Sequence, residues 1–123
     1  MAQTWLELAR DARSAANGLV ADRFRSCAAR AYYAAYSKVT HELVVTAGLT
    51  MAENREGPSH GAIRRLIETS MPNMQQDKRV KLSELIGRLY TLRIDSDYKP
   101  STEVEGREAR EAISIMKTVF ESF

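Results

Sequence analysis

Arg93 and Tyr98, five residues apart, have side chains that could interact with a phosphate group. An arginine can hold a phosphate through two parallel N–H donors and stabilise charge that develops on it. A phenolic hydroxyl stays protonated at neutral pH, so it is a poor general base. It can still donate a hydrogen bond to phosphate, and its ring can stack on a nucleobase. The pair therefore favours binding of a phosphate-bearing ligand over catalysis.

The two histidines offer the side chain that most often transfers protons near neutral pH. His60 opens a predicted helix with Arg64 one turn later on the same face, where an anion could bind. A capping or packing role that orders the preceding loop is the alternative for His60. His41 shares a helix face with Arg30, but the two stand about 16 Å apart at a rise of 1.5 Å per residue. One phosphate could not easily touch both, so we expect His41 to be a partly exposed surface residue.

Arg93 also has a purely structural interpretation. With Asp97 at the i,i+4 position near a helix end, it can form an ordinary ion pair. Asp95 and Asp97 make the segment around this helix end acidic, and their negative charge would repel a phosphodiester. Arg30 can be a buried arginine that holds their carboxylates. The functional alternative is a polar groove, which the family resemblance described below would place at a dimer interface. That groove would be lined by Arg30, Tyr33, His60, Arg64 and Asp97.

Other classes of site lack the residues that they need. The sequence contains no phosphate-binding glycine loop, no paired carboxylates at catalytic spacing and no Cys/His cluster, so we expect neither a metal nor a cofactor. The single cysteine, Cys27, lies in an alanine-rich apolar run and cannot form an intrachain disulfide. A buried, reduced thiol is typical of a reducing compartment.

The composition is that of one domain, residues 1–123, in which 44% apolar residues can cover one core. The net charge is only +2, so the overall charge of the chain does not favour nonspecific electrostatic binding of nucleic acid. No segment is long and apolar enough to span a membrane, and the N-terminal residues lack a signal-peptide pattern. These features predict a cytoplasmic protein without a membrane partner.

Four or five helical segments account for the apolar periodicity, and no strand-like alternation of useful length occurs. Capping-box spacing marks the starts of the first and last helices, at Thr4 with Glu7 and at Thr102 with Glu105. Asn17-Gly18 predicts a left-handed stop. Antiparallel helices with short links predict an all-α, up-down helical bundle. The predicted helices span about residues 4–17, 19–47, 58–69, 75–94 and 102–120, with a loop at 48–58 and a polar turn at 95–100.

Three segments resemble the motifs of small stand-alone HEPN-domain proteins. The first is Arg-Ala-Tyr-Tyr-Ala at residues 30–34, the second is Ser-His-Gly at 59–61, and the third is Leu-Arg-x-x-x-Asp-Tyr at 92–98. The resemblance implies an up-down helical bundle that pairs through a two-fold interface. It also implies a toxin, antitoxin or defence component, often encoded beside a nucleotidyltransferase-like protein partner.

Catalytic members of this family are metal-independent ribonucleases, with an arginine, four to six residues and then a histidine. In this sequence Arg93 matches the arginine, and Tyr98 stands where the histidine would be. The comparison therefore implies a non-catalytic or weakly catalytic homodimer that binds a protein partner and RNA or a nucleotide.

Three alternatives to that function stay open. One is a ribonuclease toxin that uses Arg93 with His60 or His41. Another is a scaffold without a ligand. The third gives Tyr98 a different role, as the target of nucleotidylation by the partner.

Overall fold

The computed structural model describes residues 2–52 and 55–123 of the chain. Over these residues it contains helices and no strands, which confirms the predicted all-α bundle. Part of the predicted 48–58 loop, at residues 53 and 54, lies outside the described residues. The helices are α1 (Trp5–Leu19), α2 (Phe24–His41), which continues into a π-helical turn (Glu42–Thr46), α3 (Ile63–Thr69), α4 (Gln76–Tyr98) and α5 (Gly106–Glu121).

Helix α2 is the centre of the bundle, because α1, α4 and α5 all pack against it. Its alanines Ala28, Ala31 and Ala35 are fully buried, and their small side chains let the neighbouring helices approach closely. Cys27 is also fully buried, with its thiol 3.9 Å from the carbonyl oxygen of Ala109 on α5. The tyrosines of α2 therefore project from a rigid, closely packed element.

The start of α1 agrees with its predicted capping box, but its end does not agree with the predicted stop. The Glu7 amide donates to the Thr4 hydroxyl at 3.1 Å, and the Thr4 amide donates to the Glu7 carboxylate at 3.2 Å. The helix then continues through Gly18, since glycine also accepts ordinary helical geometry. The second helix consequently begins at Phe24 and not at residue 19.

The predicted end of the second helix at residue 47 is close to the end of the π-helical turn at Thr46. A π-helical turn follows α2, closed by a bond of 2.8 Å from the Ala47 amide to the Glu42 carbonyl. Gly48 has a φ of 71°, the left-handed geometry that ends a helix at little cost for glycine.

Two helix starts differ from the predictions. Helix α3 begins at Ile63 and not at 58, because Ser59 holds the Ala62 amide in a preceding turn, so His60 lies in that turn. Helix α5 begins at Gly106, and its capping box joins Glu105 to Glu108 rather than to Thr102. None of the helices within the described ranges is both long and apolar enough to cross a bilayer.

Candidate functional site

The candidate site is a cluster of aromatic and basic side chains between α2, α4 and the turn before α3. We call it the tyrosine cluster, because it contains all five tyrosines of the chain. Three of them lie on α2 and two on α4. Their rings surround the imidazole of His60 and the guanidinium of Arg93. The members are Tyr32, Tyr33, Tyr36, His60, Tyr90, Arg93 and Tyr98.

Arg93 lies between two phenol rings. Its guanidinium carbon is 5.3 Å from the ring centres of both Tyr33 and Tyr98. Its Nη2 donates to the Tyr33 hydroxyl at 2.8 Å and reaches the Tyr98 hydroxyl at 3.5 Å. Its Nε is 3.1 Å from a carboxylate oxygen of Asp97, an ion pair without the alignment of a hydrogen bond. The guanidinium is therefore held in one orientation by contacts on α2 and on its own helix.

Electrostatics keep Arg93 charged. Burial works against the charged form, but the neighbouring hydroxyls of Tyr33 and Tyr98 and the carboxylate of Asp97 together raise the pKa of Arg93 above its ordinary value. The side chain of Arg93 is only 12% exposed. Tyr98, taken as a whole residue, is 65% exposed. A fixed cation thus lies beneath an exposed aromatic ring.

His60 is held by the hydroxyl of Tyr32, which lies 2.6 Å from its Nδ1. Burial raises the pKa of Tyr32 well above its usual range, so this hydroxyl keeps its proton and donates it. The Nδ1 of His60 is then the acceptor, and the ring proton belongs on Nε2. Burial, and after it the charge of Arg93, lower the pKa of His60. The imidazole is consequently neutral at neutral pH.

The segment that carries His60 is positioned from α1 and α2. The Tyr36 hydroxyl donates to the Pro58 carbonyl at 2.6 Å, and the Trp5 indole donates to the Glu56 carbonyl at 3.1 Å. A Cβ at Gly57 would lie 2.8 Å from the Trp5 ring, so only glycine fits where the segment crosses that ring. These contacts bring a loop residue to a defined place beside α4.

Sequence reasoning missed Arg25, which holds the end of α4. This half-buried side chain on the first turn of α2 donates to a set of backbone carbonyls where α4 ends. No local sequence pattern around Arg25 indicates this role, because its hydrogen-bond partners lie some 70 residues further along the chain. Its acceptors are the carbonyl oxygens of Asp95, Ser96, Lys99, Pro100 and Thr102.

The prediction of a polar turn at 95–100 is therefore wrong for residues 95–98. Residues through Tyr98 are helical, since the last carbonyls of α4 find donors on Arg25. Arg30 is also not the buried arginine that holds this turn. It is exposed, and its guanidinium lies over the Tyr33 ring at 5.2 Å.

The other predicted site residues fall into two groups. Arg93, Tyr98, Tyr33, Asp97 and His60 come together in or beside the tyrosine cluster.

Arg64 lies on α3, outside the tyrosine cluster, and its Nε donates to the hydroxyl of Ser83 on α4 at 3.2 Å. His41 is apart from the cluster, at the end of α2 and about 12 Å along the helix from Tyr33. That distance does not fit the alternative in which His41 acts with Arg93 within one subunit.

A cavity of about 620 Å³ opens elsewhere, between the π-helical turn, the loop before α4 and the end of α5. Its charged lining residues are Glu42, which pairs with Lys38, and Lys78. This cavity does not bring together groups suited to proton transfer or phosphate binding. Within residues 2–52 and 55–123, no three His, Cys, Asp or Glu side chains gather to hold a metal ion.

The tyrosine cluster can bind an anion through Arg93 and present aromatic rings to a ligand. Comparison with known proteins identifies the fold that carries it. The family model of the HEPN domain matches residues 2–123, nearly the whole chain. No curated protein and no solved structure matches the chain. With the three motifs, the helical bundle and this match in agreement, the chain belongs to the HEPN domain family.

Proposed function

We propose that this chain is a non-catalytic HEPN module that binds RNA or a nucleotide at a groove between two copies. In this proposal it works in a toxin–antitoxin or defence system, and its protein partner is nucleotidyltransferase-like. The observation that carries the proposal is the exposed Tyr98 beside Arg93. The anion-binding arginine is in place, while the side chain at the histidine position is a phenol.

The contacts of Arg93 support binding over catalysis. Its Nε faces Asp97 and its Nη2 faces Tyr33, so part of its donor capacity is already used within the chain. Such an arginine can still hold a phosphate from its solvent side, and the charge needs no reorganisation when the ligand arrives. Tyr98, which is 65% exposed, offers an aromatic ring beside Arg93 for a base, and Tyr90, one turn earlier on α4, is 36% exposed.

The test combines binding and cleavage measured on one preparation. Purified protein is titrated into fluorescent adenosine monophosphate and a fluorescent single-stranded RNA hexamer, in the presence of EDTA, and the RNA is then run on a gel. We expect saturable binding without cleavage, and roughly tenfold weaker binding of both probes to Arg93→Ala. Arg65→Ala removes an exposed arginine of α3 outside the cluster and is the matched control. Cleavage that Arg93→Ala abolishes would contradict the proposal.

A second candidate function is a ribonuclease that uses Arg93 with His60. It is favoured by one observation, namely that both side chains contact the ring of Tyr33 from different elements. A neutral imidazole can accept the proton of a ribose hydroxyl, and the guanidinium can stabilise the charge that develops on the phosphate. Under this candidate, His60→Gln removes cleavage in EDTA and leaves binding of the RNA in place.

The protein partner is tested separately. The chain is expressed together with the product of its neighbouring reading frame, and the two are purified through a tag on one of them. We expect a nucleotidyltransferase-like protein to copurify in a fixed ratio. If the neighbouring gene product is nucleotidyltransferase-like and does not bind this chain, the two-component part of the proposal is wrong.

A further inference from the structure

Gly87 occupies an interior position of α4, where glycine is unfavourable for helix stability. A side chain of the neighbouring helix α3 fills the space beside it. A Cβ at position 87 would lie 2.8 Å from Nη1 and 2.9 Å from Cζ of Arg64 on α3. The guanidinium of Arg64 therefore lies directly against the backbone of α4 in a cradle that only glycine leaves open.

Arg64 is held in this cradle, but its positive charge is not paired there with a carboxylate of the part of the chain that the structure describes. Its Nε donates to the Ser83 hydroxyl, and that hydroxyl donates in turn to a carboxylate oxygen of Glu68 at 3.1 Å. None of the ion pairs among the described residues involves Arg64, whose side chain is exposed. A charged fork is thus fixed in place with donors left for a ligand.

Arg64, His60 and Arg93 lie at successive levels along α4. The Arg64 guanidinium lies at Gly87, the His60 ring stacks on Tyr90 with centres 6.0 Å apart, and Arg93 lies three residues further. These levels are about 4.5 Å apart along the helix axis, at 1.5 Å per residue. Along the helix axis, the level of Tyr90 therefore lies between the levels of the two arginines.

We infer that Gly87 and Arg64 form a second phosphate subsite, and that the ligand is a single strand of nucleic acid spanning both arginines. This inference rests on the function proposed above and specifies its ligand. Gly87 and Arg93 are about 9 Å apart along α4, too far for one phosphate to hydrogen-bond both guanidinium groups at about 3 Å. A strand with a base stacked on Tyr90 places a phosphate on each side of that base.

A single strand fits better than a duplex because the central contact is an aromatic face. Bases in a duplex are already stacked on their neighbours, whereas those of a single strand can stack on tyrosine. A mononucleotide would fill only the Arg93 end. The ligand class is therefore an oligonucleotide of at least two nucleotides.

The decisive variant is Gly87→Ala. The added methyl group must displace the Arg64 guanidinium, while alanine is the better helix former. We expect a higher melting temperature together with roughly tenfold weaker binding of the RNA hexamer, and the same loss in Arg64→Ala. Binding of adenosine monophosphate should be unchanged in both variants. In Arg64→Ala, the slope of log K against log salt should fall by about 0.7 for the hexamer.

Gly18→Ala is the matched control, since that helical glycine has no atom within 4 Å of an added Cβ. It should raise the melting temperature and leave hexamer affinity unchanged. If Arg93→Ala weakens the hexamer but Gly87→Ala and Arg64→Ala do not, the second subsite is wrong and the proposed function stands. If Arg64→Ala weakens adenosine monophosphate as well, both arginines serve one phosphate and the ligand does not span them. Failure of the wild type to bind either probe overturns the proposed function and this inference together.

Discussion

At the level of single residues, the neutral imidazole of His60 links the site to the stability of the fold. Its Nδ1 accepts from the Tyr32 hydroxyl, and burial and the charge of Arg93 lower its pKa. Protonation of His60 would remove the acceptor and place a second cation near Arg93. The unfolded chain, in which the histidine has its ordinary pKa near 6.5, carries no such penalty.

The stability of the protein should therefore fall in mild acid. The folded-state pKa of His60 is lowered, so the unfolded state binds the proton first as pH drops below about 6.5. The contribution of neutral His60 is complete above that pH and is lost as pH falls toward the folded-state pKa. Thermal melts between pH 7.5 and 5.0 should show a smaller loss for His60→Gln than for the wild type. Parallel pH profiles for the two proteins would refute the assignment.

At the level of elements, the length of α4 depends on a side chain of α2. The Arg25 guanidinium donates to carbonyls of Asp95 and Ser96 inside the last turn of α4 and to three carbonyls beyond it. A helix end exposes carbonyls without partners in its own backbone, and a charged fork with several donors satisfies them well. The turn stabilised in this way carries Asp97 and Tyr98.

Replacement of Arg25 should loosen that turn selectively. Arg25→Lys keeps the charge but loses the planar fork, and we expect a decrease of about 2 kcal/mol in the free energy of unfolding. Amide hydrogen exchange should accelerate at residues 95–102 and stay unchanged in α1. Arg23→Lys, at an exposed position nearby, serves as the control. Equal protection of residues 95–102 in both variants would show that Arg25 does not hold this turn.

The two glycines at the ends of helical segments should respond in opposite ways to alanine. Gly18 has helical geometry and open space, so Gly18→Ala should stabilise the protein by about 0.5 kcal/mol. Gly48 has a φ of 71°, which L-residues adopt with strain, so Gly48→Ala should destabilise it by about 1 kcal/mol. Chemical denaturation of the two variants beside the wild type measures both differences. Changes of the same sign would contradict the backbone assignment.

At the level of the whole molecule, the proposed pairing would bring the exposed sides of two tyrosine clusters together around the ligand groove. Tyr98 is 65% exposed there, and Val45 on the π-helical turn is 62% exposed at a different place. A charge at a buried interface is unfavourable when two copies bring it together. Tyr98→Lys should therefore weaken dimerisation roughly tenfold, whereas Val45→Lys should not. Sedimentation equilibrium over a range of concentrations measures both, and the reverse order would place the interface elsewhere.

Much of the fold could be predicted from local signals in the sequence. The capping box of Thr4 with Glu7 and the periodicity of apolar residues both depend on neighbours along the chain. The left-handed stop is predicted at Gly18, but the structure has it at Gly48. Predictions failed where a remote group decided the local structure. The end of α4 is the clearest example, since the residues at 95–100 have the composition of a turn and become helical through Arg25.

The sequence by itself determined the helical class, the family motifs and the pairing of Arg93 with Tyr98, because these are properties of short segments. Only the tertiary structure decided what surrounds that pair. His60 reaches Tyr33 from a turn before α3, and Arg64 reaches Gly87 from α3, across contacts between elements distant in the chain. The physical reason is that helix periodicity reports which face of a segment is buried, whereas side-chain packing between helices selects the polar groups that meet there.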